Sequence, residues 1–130
     1  MTKSVFMDKY PIFSFEIDKN ETEYKSVDAI IAALKELVEK HPVAKYIAVF
    51  DHYAHTTSME DSVIAPEIIA AKNFLFCFGK QLPSTKILAV RPRSVGISEL
   101  EDKFVLDFLE VPNAQLQVVL EDWIKSLKNN

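Results

Sequence analysis

The side chains best able to do chemistry gather at one point, in the run Tyr-Ile-Ala-Val-Phe-Asp-His-Tyr-Ala-His that spans residues 46–55. Asp51, His52 and His55 follow directly on an apolar stretch, and two of the chain's three histidines are among them. On a continued strand Asp51 and His55 would share a face, with His52 opposite. In a turn or helix His52 and His55 would come together at i, i+3. A divalent metal needs three or four ligands, so Asp51, His52 and His55 would be completed by Cys77 only if a neighbouring strand brings it close. The commoner role for histidines and an aspartate just past a strand end is to cap backbone groups and bond one another.

Cys77, between Phe76 and Phe78, could act as a nucleophile beside one of these histidines, which would need an electropositive, partly open setting. A single cysteine in an apolar strand is more often a small buried hydrophobe. A second polar group, Arg91-Pro92-Arg93 with Lys80 in the preceding turn, could receive an anion, because guanidinium forks bind carboxylate or phosphate through paired hydrogen bonds. The plainer alternative pairs these arginines with Glu99, Asp102 or Asp107. No phosphate-binding glycine loop accompanies them, since Gly79 and Gly96 are the only glycines.

The elements that must hold these residues can be read from periodicity. Phe13, Phe15 and Ile17 alternate with polar residues as a strand does. Ser26 is a suitable N-cap for a helix whose Val27, Ile30, Ile31, Leu34, Leu37 and Val38 form one apolar stripe, ended by His41-Pro42. Ala44 to Asp51, apolar at alternate and intervening positions alike, reads as a central strand covered on both faces. Residues 56–62 read as a loop, and Pro66 to Ala71 as a short helix of about two turns.

Phe74, Phe76 and Phe78 then define a strand with an aromatic wall. Ile87 to Val90 reads as the start of another, broken at Arg91-Pro92-Arg93 and resumed over residues 94–100. Phe104 to Leu109 alternates as a further strand. Asn113 caps a last helix with Leu116, Val119, Leu120, Trp123, Ile124 and Leu127 on one stripe. The expected fold is α+β: a two-layer sandwich in which a mostly antiparallel sheet of about five strands carries two amphipathic helices on one face. At 130 residues this is one domain, residues 1–130, with no repeat or linker.

Composition narrows the function classes. Hydrophobic residues make up 48% and charged residues 26%, the balance of a globular protein rather than a disordered or membrane one. A formal net charge of −4 argues against nucleic acid as a partner. The absence of a long apolar run, of a signal-peptide core and of a second cysteine leads us to expect a cytoplasmic protein that does not engage membranes.

The segments Phe-Asp-His-Tyr-Ala-His-Thr (50–56), Phe-Cys-Phe-Gly-Lys (76–80) and Ala-Val-Arg-Pro-Arg-Ser-Val-Gly (89–96) resemble a family of small bacterial proteins known only as a domain of unknown function. The resemblance spans most of the chain. It implies a bacterial cytosolic protein and brings no activity, cofactor or catalytic residue. From the residues we expect a binding module for a small anionic molecule, with a polar site drawn from Asp51, His52, His55, Lys80, Arg91 and Arg93. A homodimer would cover the sheet face that the helices leave bare. The alternatives are a metal- or cysteine-dependent enzyme using His52, His55 and Cys77, and a structural or regulatory protein-interaction domain. No motif indicates a cofactor; a divalent metal is the one the histidines would suit.

Overall fold

Each long helix forms where a capping side chain meets an apolar stripe. In the computed structural model, which describes all 130 residues, α1 spans Val27–Lys40 and the Ser26 hydroxyl accepts from the Ala29 N–H at 3.0 Å. Val27, Ile30, Ile31, Leu34 and Val38 are its buried residues. It stops at His41, whose extended backbone is the one a residue preceding proline favours. The last helix, α3 (Ala114–Lys125), is capped by Asn113, which accepts from the N–H groups of Gln115 and Leu116 at 2.9 and 3.1 Å. It buries Leu120 and Ile124 and stacks Trp123 on Phe78.

Six strands make one sheet: β1 (Thr2–Phe6), β2 (Tyr10–Asp18), β3 (Ala44–Phe50), β4 (Ala70–Phe78), β5 (Arg93–Glu99) and β6 (Lys103–Leu109), with α2 (His52–Thr57) following β3. Their order is β1-β2-β6-β5-β4-β3, and every neighbouring pair is antiparallel. Side-chain alternation divides the sheet into two unlike faces. Ile17, Phe74, Phe76, Phe78, Val95, Ile97, Phe104, Leu106 and Phe108 point to one face and pack with α1 and α3 into the core. Ser14, Asn73, Ser94, Gly96 and Asp107 alternate with them and lie on the other face, which no helix layer buries.

The fold is thus α+β with an open antiparallel sheet, of six strands and three helices rather than five and two. The additional strand is β1. All five of its residues are exposed, so it shows no buried alternation from which a strand could be recognised. The additional helix is α2: it takes the turn-or-helix alternative for His52 to His55, and only Thr56 and Thr57 fall where a loop was expected. Asp51 starts it by accepting from the Ala54 N–H at 2.9 Å.

Three other expectations are corrected. Pro66 to Ala71 is not helical: Ile68 N–H closes a turn on Ala65, and Ile69 N–H already bonds Glu99 as the chain enters β4. Ile87 to Val90 does not begin a strand. Residues Thr85–Ala89 form a 3-10 turn capped by Ser84, and β5 begins at Arg93, after a cis Arg91-Pro92 bond. Ala44 to Phe50, expected at the sheet centre with both faces covered, is the edge strand β3. Tyr46 packs on Phe74, but a register shift between Tyr46 and Ala48 turns the strand, and Ile47 and Phe50 remain 45% and 40% exposed.

Candidate functional site

The sheet opens where β5 meets β6. Their pairing runs from Glu99↔Phe104 to Gly96↔Asp107 and goes no further, so beyond Asp107 β6 keeps its ladder to β2 but has none on the β5 side. Backbone groups in such a place need replacement donors. Arg93 supplies them: its guanidinium donates through Nη2 to the carbonyls of Leu109 at 2.5 Å and Glu110 at 3.1 Å, and through Nη1 to Val90 at 3.3 Å. Arg93 is only 9% exposed, and its Nε–H has no partner. Burial holds its pKa below the ordinary guanidinium value, yet an arginine remains charged.

No carboxylate neutralises that charge. Every ion pair in the molecule is made by a lysine. Of the three acids that could have taken the arginines, Glu99 pairs with Lys19 and Asp107 accepts from the Ser14 hydroxyl at 2.5 Å. Asp102 offers its backbone carbonyl to the Lys19 N–H. Arg91 bonds only the Gln81 carbonyl, at 2.7 Å. It lies across Gly79, whose φ of +94° favours glycine and where a Cβ would stand 2.3 Å from Arg91 Nη2.

Both arginines border a cavity of about 70 Å³ that Phe78, Ile87, Asn113 and Leu116 help to enclose. Asn113 places the N-terminus of α3, with its partial positive charge, at this cavity. On the open face, Arg93 and Val90 also border a groove of about 470 Å³ floored by Gly96 and walled by Ile12, Pro92 and Leu109. A polar row crosses that groove in register, Asn73↔Gly96↔Asp107↔Ser14.

The histidine corner joins the same face from the other side. Phe50 pairs with Asn73 across β3 and β4, and α2 brings the rings of His52 and His55 to 6.4 Å, both against Phe50 at 5.3 and 5.4 Å. Asn73 donates from Nδ2 to the Ser94 hydroxyl at 3.0 Å, which makes its Oδ1 the acceptor for His52 Nδ1 at 3.3 Å. Donation therefore runs from His52 through Asn73 to Ser94 at the groove. Asp51 does not join the histidines. One of its oxygens caps α2 and the other lies 3.8 Å from Lys72. The pKa of Lys72 is raised, first by its hydrogen bond to Asp28 and then by the charges of Asp28 and Asp51.

The residues expected to act together fall into two groups. Asp51, His52 and His55 lie where β3 passes into α2. Lys80, Arg91 and Arg93 lie around the ends of β4 and β5, with Lys80 and Cys77 lining a shallow depression beside Arg91. Cys77 does not reach His52 and His55. It sits four residues along β4 from Asn73, about 13 Å at the usual strand rise, and its thiol faces the Phe78 carbonyl at 3.7 Å. Consistent with that separation, no three His, Cys, Asp or Glu side chains stand close enough to hold a metal ion.

Ser14, Asn73, Ser94, Gly96 and Asp107, which line or adjoin the groove, were not singled out from the sequence as site residues. Their signal is there, since each is a small or polar residue at an alternating position of a strand whose other positions are apolar. That pattern also describes any solvated sheet face, so it does not mark a groove.

Fold and site together define an α+β protein built on an open six-stranded antiparallel sheet. None of its helices is long and apolar enough to cross a membrane. The model of a family described as a family of unknown function (DUF6858) matches residues 1–129, and the chain belongs to that family. No curated protein and no solved structure matches it.

Proposed function

We propose that this chain is a binding module for a small anionic molecule, received in the cavity between Arg91, Arg93 and the N-terminus of α3. The observation that carries this reading is Arg93: a buried guanidinium with an unpartnered Nε–H and no carboxylate in contact. Removing a charge from water costs several kcal/mol even after the protein relaxes, and carbonyl dipoles offset only part of that. An oxyanion would meet two guanidinium groups beside the partial positive charge of a helix N-terminus. The small cavity suits one carboxylate or phosphoryl group, with the rest of the ligand outside it.

His52 belongs to the same proposal as an outer contact, linked to the groove through Asn73. The reading of a metal- or cysteine-dependent enzyme built on His52, His55 and Cys77 lacks a common site for its residues. The homodimer keeps a specific support in the exposed apolar side chains along the edge strand β3, Ile47 and Phe50. Their apolar area is what a second copy would cover. The free Cys77 and the resemblance to small bacterial proteins favour a bacterial, cytoplasmic setting.

A ligand that binds only the folded state raises the unfolding midpoint by mass action. Inorganic phosphate should therefore raise the midpoint of the wild-type protein in a saturable way, and Arg91→Gln should remove the response. No response to phosphate or to simple carboxylates, or an equal response in Arg91→Gln, would sink the reading.

A further inference from the structure

The floor of the open-face groove is a glycine that the backbone does not require. Gly96 lies mid-strand in β5, paired with Asn73 on one side and Asp107 on the other, and Gly79 is the glycine with a positive φ. A Cβ on Gly96 would meet the Asp107 carbonyl oxygen at 3.7 Å and Asn73 Nδ2 at 3.9 Å, both ordinary van der Waals contacts. Alanine would fit, and a residue with a side chain would strengthen the strand. The register through Gly96 is unbroken on both sides, so it marks no bulge, and a strand glycine that neither φ nor local packing demands fits a close approach of something else to the backbone.

What flanks Gly96 describes that something. Asn73 and Asp107 stand two strand spacings apart, about 9.6 Å between backbones, with bare backbone between them. Asp107 gives one carboxylate oxygen to Ser14 and has the other free. Asn73 uses one Nδ2 hydrogen on Ser94 and keeps the second, while the Ser94 hydroxyl keeps its own hydrogen. One edge of the groove thus accepts and the other donates, between the apolar walls of Ile12, Pro92 and Leu109. An ammonium group would use Asp107 and leave the donors idle. A hydroxyl both donates and accepts, so one hydroxylated ring satisfies both edges while its C–H face lies on Gly96. The groove volume, about 470 Å³, falls in the range of small-molecule sites.

We infer that this groove binds a small hydroxylated ring, a sugar or cyclitol, lying over Gly96 between Asn73 and Asp107. The inference rests on Gly96 and its neighbours and stands apart from the anion at Arg91 and Arg93, so either can fail alone. The test is a titration of ¹⁵N-labelled protein with D-glucose and with myo-inositol, and with open-chain sorbitol as the comparison. The expected result is saturable movement of the Asn73, Gly96 and Asp107 amide signals with a ring and little with sorbitol. Gly96→Val should weaken ring binding by about tenfold or more, the scale on which misplaced methyl groups act in a pocket, with no fall in the unfolding midpoint. Gly96→Ala serves the same purpose should the valine variant not fold, and Asp107→Asn should weaken binding with the groove unfilled. No saturable movement at these three residues, an equal response to sorbitol, or undiminished binding in Gly96→Val or Gly96→Ala overturns the inference. So does a Gly96 variant that changes only the molecular mass in solution, which would make a second copy the occupant.

Discussion

The two faces of the sheet are built from the same strands by different rules. On the helix-covered face the alternating positions are Phe, Ile, Leu and Val, and Phe74, Phe76, Phe104 and Leu106 are essentially inaccessible. On the open face apolar Leu75, Val105 and Leu109 share the surface with Ser14, Asn73, Ser94, Gly96 and Asp107, and two side-chain hydrogen bonds cross from strand to strand, Ser14 to Asp107 and Asn73 to Ser94. Hydrophobic burial is non-directional and tolerates many apolar residues of suitable volume. The polar row is directional, and replacing one member leaves a neighbour without its partner. Stability therefore concentrates on the covered face, while Arg93, at the split between β5 and β6, borders both the open-face groove and the cavity beside α3.

This contrast can be tested by substitution. The largest loss should come from the covered face: Phe76→Ala, at a fully buried site beside Trp123, should cost about 3–5 kcal/mol by urea unfolding. Arg93→Gln comes next, at roughly 2–3 kcal/mol, because it frees carbonyls of Val90, Leu109 and Glu110 that no ladder can take up. Arg93→Lys should restore little of this, since an ammonium cannot span the same acceptors. Asn113→Ala, which uncaps α3, should cost about 1 kcal/mol. The open face should respond oppositely, with Gly96→Ala stabilising by roughly 0.5–1 kcal/mol. A loss of stability there would mean that the two faces are not separable.

The smallest effect concerns pH. The pKa of Lys72 is raised in the folded protein, first by the Asp28 hydrogen bond and then by the charges of Asp28 and Asp51. A raised pKa on a cation gives stability that is complete below the ordinary lysine value of 10.5 and lost as pH rises through the folded value. Alkaline unfolding of wild type should therefore lose slightly more stability than that of Lys72→Met over that range. Parallel curves would show that the Asp28–Lys72–Asp51 contacts contribute nothing.

How far the sequence could be read follows the same division. The stripes of α1 and α3, the aromatic positions of β4 and β6, and the caps Ser26 and Asn113 were legible because burial imposes a period and a cap has a fixed chemistry. Strand β1 was not, because nothing covers it. Strand β3 was misplaced because Ile47 and Phe50 look like core residues although they lie at an edge. In α2, six residues from His52 to Thr57 held by the Asp51 cap, there is no apolar stripe to reveal a helix. The Arg91 and Arg93 pair was visible as a candidate anion site, but its acceptors were not. Only the structure shows that Arg93 bonds carbonyls where acids were the plainer expectation. The groove residues were invisible for a similar reason, since the register that aligns Asn73, Gly96, Asp107 and Ser14 comes from strands distant in sequence.

The central claim is that the buried, acid-free Arg93 and its neighbour Arg91 hold an anion at the N-terminus of α3. The most direct measurement is an anomalous difference map from a crystal soaked in selenate. The account predicts a selenium peak in the cavity bordered by Arg91, Arg93 and Asn113, absent from crystals of Arg91→Gln. A cavity holding only water, with selenate found elsewhere or nowhere, would contradict it.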